Sequence, residues 1–302
     1  MFLNSRMESK ELLRLRSLNT RMILAPNDKK YYFSLEKGFE GEKKFDQLTQ
    51  KLQNDFFIIN DLRLEFNNSE FQFDTLIIAQ ETIYPFEIKN HEGDYYYESG
   101  NFYSLLTKDE VKNPLDQLKR SKSLFCPLLK KMGITAPVEG FVTFVNPVFT
   151  LYQAPINAPI IYPTQLKSLM NKLEQIPSKL NIHHKRLADQ LISMHLNESR
   201  YTRVPSYMYE QLKKGIICPI CFSFMKSFGD KKLVCEKCLF EESVDSGVLR
   251  SVKELVLLFP DRKITTISVH HWCGVIKSAK VIRRILMQNY TSIGSRQHRY
   301  FE

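Results

Sequence analysis

The chain has 302 residues, 43% of them hydrophobic and 12% aromatic, which is enough for two or three packed domains and excludes a disordered chain. No stretch reaches the roughly 18 to 20 apolar residues of a membrane helix, and residues 1–24 carry too many charges for a signal peptide, so we expect a cytoplasmic protein. Most of the net charge of +10 comes from residues 200–302, with 18 Lys and Arg against 9 Asp and Glu, whereas residues 1–199 have 25 against 24. This imbalance favours a polyanionic partner, because neutralised phosphates release counterions, over a merely soluble basic surface.

The first two thirds of the chain predict a mixed sheet flanked by helices. Helical spacing of apolar residues is followed by the alternation typical of strands, then by further helical spacing. Helices are predicted at 7–24, 35–52, 114–132, 164–174 and 179–196, strands at 56–62, 70–79, 82–90 and 138–146, and a hairpin at 95–106. Pro26 is expected to break the first helix, Gly38 and Gly41 to mark the start of the second, and residues 147–163 to wrap the sheet edge.

Two acidic residues and a lysine fall on neighbouring predicted strands. Asp74 lies in one strand, and Glu87 and Lys89 lie in the next, where residues two apart project to the same face. Two converging carboxylates suit Mg²⁺ or Mn²⁺, and a nearby lysine can orient or help deprotonate an attacking water. Glu-x-Lys alone is weak, since it occurs on many solvated strands, but the apolar surroundings of Asp74 argue against an ordinary exposed position.

Four ordered motifs carry a resemblance to a known family. They are Gly38-Phe39-Glu40-Gly41-Glu42, Phe71-Gln72-Phe73-Asp74, Phe86-Glu87-Ile88-Lys89-Asn90 and Asn113-Pro114-Leu115-Asp116-Gln117. The stretch 38–145 resembles the NERD, or nuclease-related, domain, a branch of the PD-(D/E)xK nuclease superfamily with a restriction-endonuclease-like fold. Phe73 stands where the superfamily name has proline, a change that such nucleases tolerate.

The resemblance implies a role for five residues. Asp74 and Glu87 would ligate the catalytic metal, and Lys89 would serve the water. Glu42 would face the same cleft as a further ligand or as a partner of Lys89, although an acid in the first helical turn is an equal alternative. Gln117 would border the cleft and touch metal-bound water or phosphate, with an ordinary surface amide as its alternative.

The cysteines near the C-terminal third are spaced for a metal. Cys218 and Cys221 form one C-x2-C pair, Cys235 and Cys238 form another, and 13 residues separate the pairs. Four thiolates make a closed tetrahedral zinc site, so residues 218–238 predict a structural zinc ribbon rather than free core thiols. The lysines of the ribbon leave open whether it contacts nucleic acid or protein.

Residues after Pro260 predict a helix-turn-helix with a turn around residues 270–274 and a second helix at 278–289. Basic residues on this helix and in the tail are candidate nucleic-acid contacts, namely Lys280, Arg283, Arg284, Arg296 and Arg299. The alternative is an ordinary helical pair with a solvated basic face.

These observations predict an α/β fold, with a restriction-endonuclease-like mixed sheet flanked by helices, a small zinc ribbon and a winged-helix-like α+β segment. Four segments are expected: a helical extension at 1–34, the NERD domain at 35–198, the ribbon at 199–249 and the helix-turn-helix segment at 250–302. The predicted activity is metal-dependent hydrolysis of nucleic acid, with DNA favoured. A non-catalytic DNA-binding or scaffold protein is the rival, and a homodimer stays open.

Overall fold

The computed structural model describes residues 1–229, 231–295 and 298–302. Its chain divides into two compact units, the first made of Met1–Glu8 and Phe33–Tyr201 and the second of Ser9–Tyr32 and Thr202–Glu302. The predicted N-terminal extension is therefore shared between the units. The four predicted segments are finer than this division, and their boundaries stay a prediction.

The described residues form eight α-helices and several sheets, which confirms the predicted mixed α/β class. The helices are α1 Lys10–Arg21, α2 Pro26–Thr49, α3 Pro114–Lys131, α4 Leu166–Gln175, α5 Ile182–Ser193, α6 Val244–Leu258, α7 Thr266–Cys273 and α8 Ala279–Asn289. The strands of the first unit are β1 Phe57–Phe66, β2 Ser69–Ile78, β3 Ile83–Lys89, β4 Gly93–Glu98, β5 Asn101–Ser104, β6 Glu110–Val111, β7 Phe141–Phe144, β8 Phe149–Tyr152 and β9 Ile160–Ile161. Those of the second are β10 Lys226–Phe228, β11 Lys232–Val234, β12 Glu241–Ser243, β13 Ser292–Ile293 and β14 Tyr300–Phe301. No described helix is both long and apolar enough to pass through a membrane.

The main sheet of the first unit has the strand order β1-β2-β3-β7-β9. The pairs β1/β2 and β2/β3 are antiparallel, whereas β3/β7 and β7/β9 are parallel. Apolar residues of α3 and α5, including Phe125 and Leu191, pack on one face of the sheet. Phe45 of α2 and Leu173 of α4 pack on the other face. The sheet is therefore buried on both sides, as a sheet with parallel strands requires.

Residues 147–163 do more than wrap an edge. They supply β8, which pairs in parallel with β4 in a second sheet of order β6-β5-β4-β8. They also supply β9, the edge strand of the main sheet next to β7. Two-residue and four-residue strands leave almost no periodic signal, so the second sheet was not predicted beyond its β4/β5 hairpin.

The second helix begins nine residues earlier than predicted, because Pro26 starts α2 instead of only ending α1. Proline is suited to the first helical turn, where the missing N–H has no intrahelical partner. Gly38 and Gly41 consequently lie inside the helix. A Cβ on Gly41 would lie 2.5 Å from Cβ of Asn90, so this glycine allows α2 to approach the residue that follows β3.

Replacing Gly41 by alanine is expected to lower the free energy of unfolding of the first unit by about 1–3 kcal/mol, because the added methyl group overlaps Asn90. Gly38 offers a matched control in the same helix, since nothing lies within 4 Å of its added Cβ. Gly38→Ala should stabilise by about 0.5–1 kcal/mol through helix propensity. Urea unfolding of both variants checks the contrast, and equal effects would remove the close approach as the reason for Gly41.

The second unit contains α1, the ribbon strands β10-β11-β12, helices α6 to α8 and the β13/β14 hairpin. Arg21 of α1 is fully buried, forms an ion pair with Glu254 at 2.6 Å and has its guanidinium carbon 3.9 Å from the centre of the Trp272 ring.

Two features of the second unit differ from the sequence prediction. Helix α6 was not predicted and crosses the expected boundary at 249/250. Residues 270–273 belong to α7, so the turn begins only at Gly274, whose φ of 62° suits a residue without a Cβ.

Candidate active site

Asp74 and Glu87 lie side by side on antiparallel strands. The register pairs Thr75 of β2 with Phe86 of β3, which puts Asp74 and Glu87 at the next position of the ladder and on one face. Asp74 Oδ2 accepts a hydrogen bond of 2.6 Å from the Ile88 backbone N–H. Asp74 and Glu87 are 9% and 1% exposed as residues, so burial restricts both side chains and the backbone donor also fixes Asp74.

All five predicted catalytic residues line one cleft of about 400 Å³ in the first unit. They are Glu42, Asp74, Glu87, Lys89 and Gln117. Three elements of the main fold deliver them: α2 carries Glu42, the β2/β3 pair carries the central three, and the first turns of α3 carry Gln117. The cap of α3 sets the last of these, because Asn113 accepts from the Leu115 N–H at 2.9 Å.

Lys89 is held between two polar side chains of the cleft. Its Nζ donates to Glu87 Oε1 and lies 3.4 Å from Gln117 Oε1. Burial opposes the charge of the amine, but Glu87, Asp74 and Glu42 outweigh burial and raise the pKa of Lys89. The lysine is therefore an ammonium group that can donate hydrogen bonds to water or to a phosphate oxygen.

Burial and neighbouring acids disfavour the charged forms of two carboxylates in the cleft. Burial raises the pKa of Glu87, and the Asp74 charge adds to the effect. The same two causes, in the same order, raise the pKa of Glu42 even though Arg6 binds it at 2.8 Å. A bound divalent cation would favour the charged forms of these carboxylates, and oxygen donors are the ligands that Mg²⁺ and Mn²⁺ prefer, so the residues fit such an ion.

In the described part of the chain, only the cysteines bring three or more ligand atoms within 4.8 Å of one another. Asp74 and Glu87, from adjacent strands, are the candidates to hold a cation in the cleft directly, Glu42 could act on it directly or through water, and water and substrate phosphate would be the remaining ligands. This is the usual arrangement for Mg²⁺ in phosphate-processing sites.

Several residues near the cleft have no role assigned from the sequence, and four of them bear on the site. Gln72 and His91 line it, while Asp61 and Arg6 stand behind it. Gln72 Nε2 donates to Asp61 Oδ1 at 2.5 Å, and Asp61 has a φ of 53°, a conformation that is costly for a residue with a side chain. Burial raises the pKa of Asp61. Only Gln72 had a sequence signal, since it lies in the same motif as Asp74.

His91 follows Lys89 by two residues and packs in an aromatic group. Its ring stacks on Tyr95 with 5.1 Å between centroids and lies 5.8 Å from the ring of Phe144. Burial, together with the charges of Lys89 and Lys37, lowers the pKa of His91 to about 4. The imidazole is therefore neutral near pH 7 and lines the cleft without adding to its charge.

The four cysteines of the second unit form one cluster. Sγ of Cys218 lies 3.6 Å from that of Cys238, and Sγ of Cys221 lies 3.3 Å from that of Cys235. Four sulfurs at about 2.3 Å from one zinc ion would be roughly 3.8 Å apart, so the cluster fits a tetrahedral site. The β10/β11 hairpin joins the two pairs, which supports the predicted zinc ribbon. Two of the ribbon lysines are paired with acids, Lys226 with Glu236 at 2.7 Å and Lys232 with Glu241 at 2.6 Å.

The predicted nucleic-acid contacts differ in their surroundings. Lys280 and Arg283 are exposed on α8. Arg284 is exposed as well but forms a two-pronged ion pair with Asp245, at 2.6 and 2.9 Å. Arg299 is half-buried, and Arg296 lies outside the described residues.

Residues 37–145 match the family model NERD, the nuclease-related domain. The match runs from α2 to the end of β7 and contains Glu42, Asp74, Glu87, Lys89 and Gln117. It confirms the resemblance stated from the sequence motifs and covers roughly a third of the chain. Neither the curated proteins nor the solved structures include a significant match to the chain.

Proposed function

From a nuclease-related domain at residues 37–145, we propose that the protein is a divalent-metal-dependent nuclease that hydrolyses phosphodiester bonds, with DNA as its favoured substrate. One observation carries the proposal. Asp74, Glu87 and Lys89 line one cleft from adjacent strands. The two acids can bind a divalent cation, and Lys89 supplies a cationic hydrogen-bond donor beside it. This combination of groups is the one that phosphodiester hydrolysis needs.

Each residue of the cleft has a role in this proposal. Asp74 and Glu87 would hold Mg²⁺ or Mn²⁺, which when bound neutralises charge that builds on the phosphate oxygens. Lys89 donates a hydrogen bond that orients the attacking water or the scissile phosphate, and Gln117, 3.4 Å from Lys89 Nζ, limits the positions of the amine. Glu42 adds a third carboxylate to the cleft, from α2.

The second unit would bind nucleic acid. Its basic residues outnumber its acids, and Lys280 and Arg283 are exposed on the outer face of α8, where a recognition helix meets the major groove. Arg284 would have to leave Asp245 to reach a phosphate, so it contributes less than its two neighbours. Arg296 and Arg299 would add further phosphate contacts from the C-terminal tail, and the four-cysteine ribbon would hold a structural zinc ion.

A non-catalytic nucleic-acid-binding protein is the second candidate. It is favoured by the ion pair between Lys89 and Glu87, which satisfies the amine within the protein. In that case the cleft would be a rigid part of a platform domain, and binding would come from the basic residues of the second unit alone. The two candidates differ in whether the chain turns over substrate.

Replacing Lys89 by alanine is expected to slow cleavage at least about 100-fold, because a positioned proton donor contributes that much or more to hydrolysis. The zinc-loaded chain is incubated with Mg²⁺ or Mn²⁺ and with linear, nicked, branched and single-stranded DNA, and with RNA. Lys130→Ala, an exposed lysine on α3, is the matched control and should cleave at the rate of the unsubstituted chain.

DNA affinity is measured alongside at a fixed, stated salt concentration, since phosphate contacts are salt-dependent. If the unsubstituted chain and Lys89→Ala bind DNA equally and neither cleaves any substrate, the platform function is correct and the nuclease proposal is lost.

A further inference from the structure

A segment outside the nuclease-related match reaches the carboxylates of the cleft. Residues 1–4 lie along β1, where Phe2 forms an isolated parallel bridge with Ile58; Leu3 N–H donates to Ile58 O and Ile58 N–H donates to Met1 O, both at 3.0 Å. The Asn4 side chain donates to Asn60 O at 2.6 Å and accepts from the Asn60 backbone N–H at 2.7 Å. Residues 1–8 form the N-terminal strap, which belongs to the first unit.

The strap delivers Arg6 to a buried position between α2 and β2. Its side chain is 3% exposed. Nε and Nη2 donate to the two oxygens of Asp46 at 2.8 and 2.9 Å, and Nη1 donates to Glu42 Oε2 at 2.8 Å. Nη2 also donates to the Asp74 carbonyl at 2.7 Å and to Thr75 Oγ1 at 3.0 Å.

These contacts hold two of the cleft acids at once. Glu42 is held through its carboxylate and Asp74 through its own backbone, while the Asp74 side chain is held by the Ile88 N–H. Asp46 anchors the opposite side of the guanidinium and does not line the cleft. A planar group with five donors can serve all of these acceptors, whereas a lysine amine, a single point charge, cannot.

We infer that Arg6 is a positioning residue of the metal site, which sets the separation of Glu42 and Asp74 and thereby the affinity of the cleft for a divalent cation. This inference rests on the proposed function. It extends the site beyond residues 37–145 and makes the N-terminal strap part of it. The alternative is that Arg6 only fastens the strap and contributes stability alone.

The two roles differ in what Arg6 substitutions do to cation binding. Mn²⁺ affinity of the zinc-loaded full chain is measured by calorimetry, well below the thermal midpoint of each variant. Arg6→Ala is expected to weaken Mn²⁺ binding about 30-fold and Arg6→Lys about tenfold, within the range for residues that orient metal ligands. Arg200→Ala removes an exposed arginine that pairs with Glu65 in the same unit and should stay within about twofold of the unsubstituted chain.

A double-mutant cycle with Glu42→Gln tests whether Arg6 affects Mn²⁺ binding through Glu42. If Arg6 acts through Glu42, adding Arg6→Lys to Glu42→Gln should weaken Mn²⁺ binding by less than about threefold. Glu42→Gln has then already disrupted the Arg6–Glu42 ion pair, so the second change has little left to remove. Arg6→Lys with unchanged Mn²⁺ affinity, or fully additive effects in the cycle, overturns the inference. If Arg6→Ala fails to fold, Arg6→Lys carries the test because it keeps the buried charge.

The outcomes for the unsubstituted chain separate the two proposals. An unsubstituted chain that neither binds Mn²⁺ nor cleaves nucleic acid removes the nuclease proposal and the Arg6 inference with it. A chain that binds and cleaves, with Arg6→Lys behaving in the same way, removes only the inference.

Discussion

Asp74→Asn is expected to reduce phosphodiester cleavage by roughly 1,000-fold while the chain still folds. Asparagine keeps the shape of the side chain, and its carbonyl oxygen can still accept the Ile88 N–H that Asp74 binds at 2.6 Å. It removes one of the two charges that would hold the cation. Loss of metal-based charge stabilisation is worth several kcal/mol, and each 1.4 kcal/mol is a factor of about ten in rate.

Metal binding gives a second reading of the same variant. A cation that binds only the folded chain stabilises it by about 2.7 kcal/mol at 100 times its dissociation constant, so Mn²⁺ should raise the melting temperature of the unsubstituted chain. In Asp74→Asn this rise should vanish. Asp189→Asn, an exposed acid paired with Lys185 on α5, should keep both the rise and the cleavage rate. Equal cleavage by Asp74→Asn and the unsubstituted chain would exclude Asp74 as a ligand and with it the proposed site.

The central part of the site was predictable because its residues are close in sequence. Asp74, Glu87 and Lys89 lie on two strands joined by a short turn, so the alternation of side chains was enough to put them on one face. Glu42 and Gln117 were placed only through the family resemblance. Helices α2 and α3 reach the cleft by packing on the sheet, and no local sequence pattern predicts that packing.

The parts that the sequence did not reveal depend on long-range or very short elements. Arg6 meets Glu42 and Asp74 across 36 and 68 residues, and no local pattern around it distinguishes it from a surface arginine. Strands β8 and β9 are too short for a periodic signal. The sequence predicts a start of α2 that is too late, because Pro26 suits the first turn of a helix as well as the end of one.

The basic tail shows a different limit of pattern reading. Sequence counts treat Lys280, Arg283 and Arg284 as equivalent charges, whereas Asp245, 39 residues away from Arg284, engages that arginine. Net charge therefore points to a polyanion without saying which cations are available to it. Side-chain pairing in the fold decides that, and it favours Lys280 and Arg283.

Cys235→Ser is expected to abolish stoichiometric zinc binding and to unfold residues 218–243. The four thiolates supply the whole coordination of a closed site, and structural zinc contributes about 10–16 kcal/mol of apparent binding free energy in small zinc modules. That exceeds or equals the entire stability of a typical domain, about 5–15 kcal/mol, and three strands of three residues cannot replace it. Zinc per chain by mass spectrometry checks the first effect, and amide exchange of buried Leu233 checks the second.

The unfolding should spread to α6, because the ribbon packs closely on that helix. A Cβ added to Gly247 of α6 would lie 2.3 Å from Leu233 Cδ1, so the helix and β11 fit together only in the folded ribbon. Cys126→Ser is the matched control: this cysteine lies outside the cluster, and its variant should keep about one zinc per chain. Because the ligands must lose their protons, zinc affinity should also fall as the pH is lowered. Less than about one zinc per unsubstituted chain, or a zinc-free Cys235→Ser chain in which Leu233 is still protected, would mean that the ribbon is held together by its own packing and that the cluster is not a structural metal site.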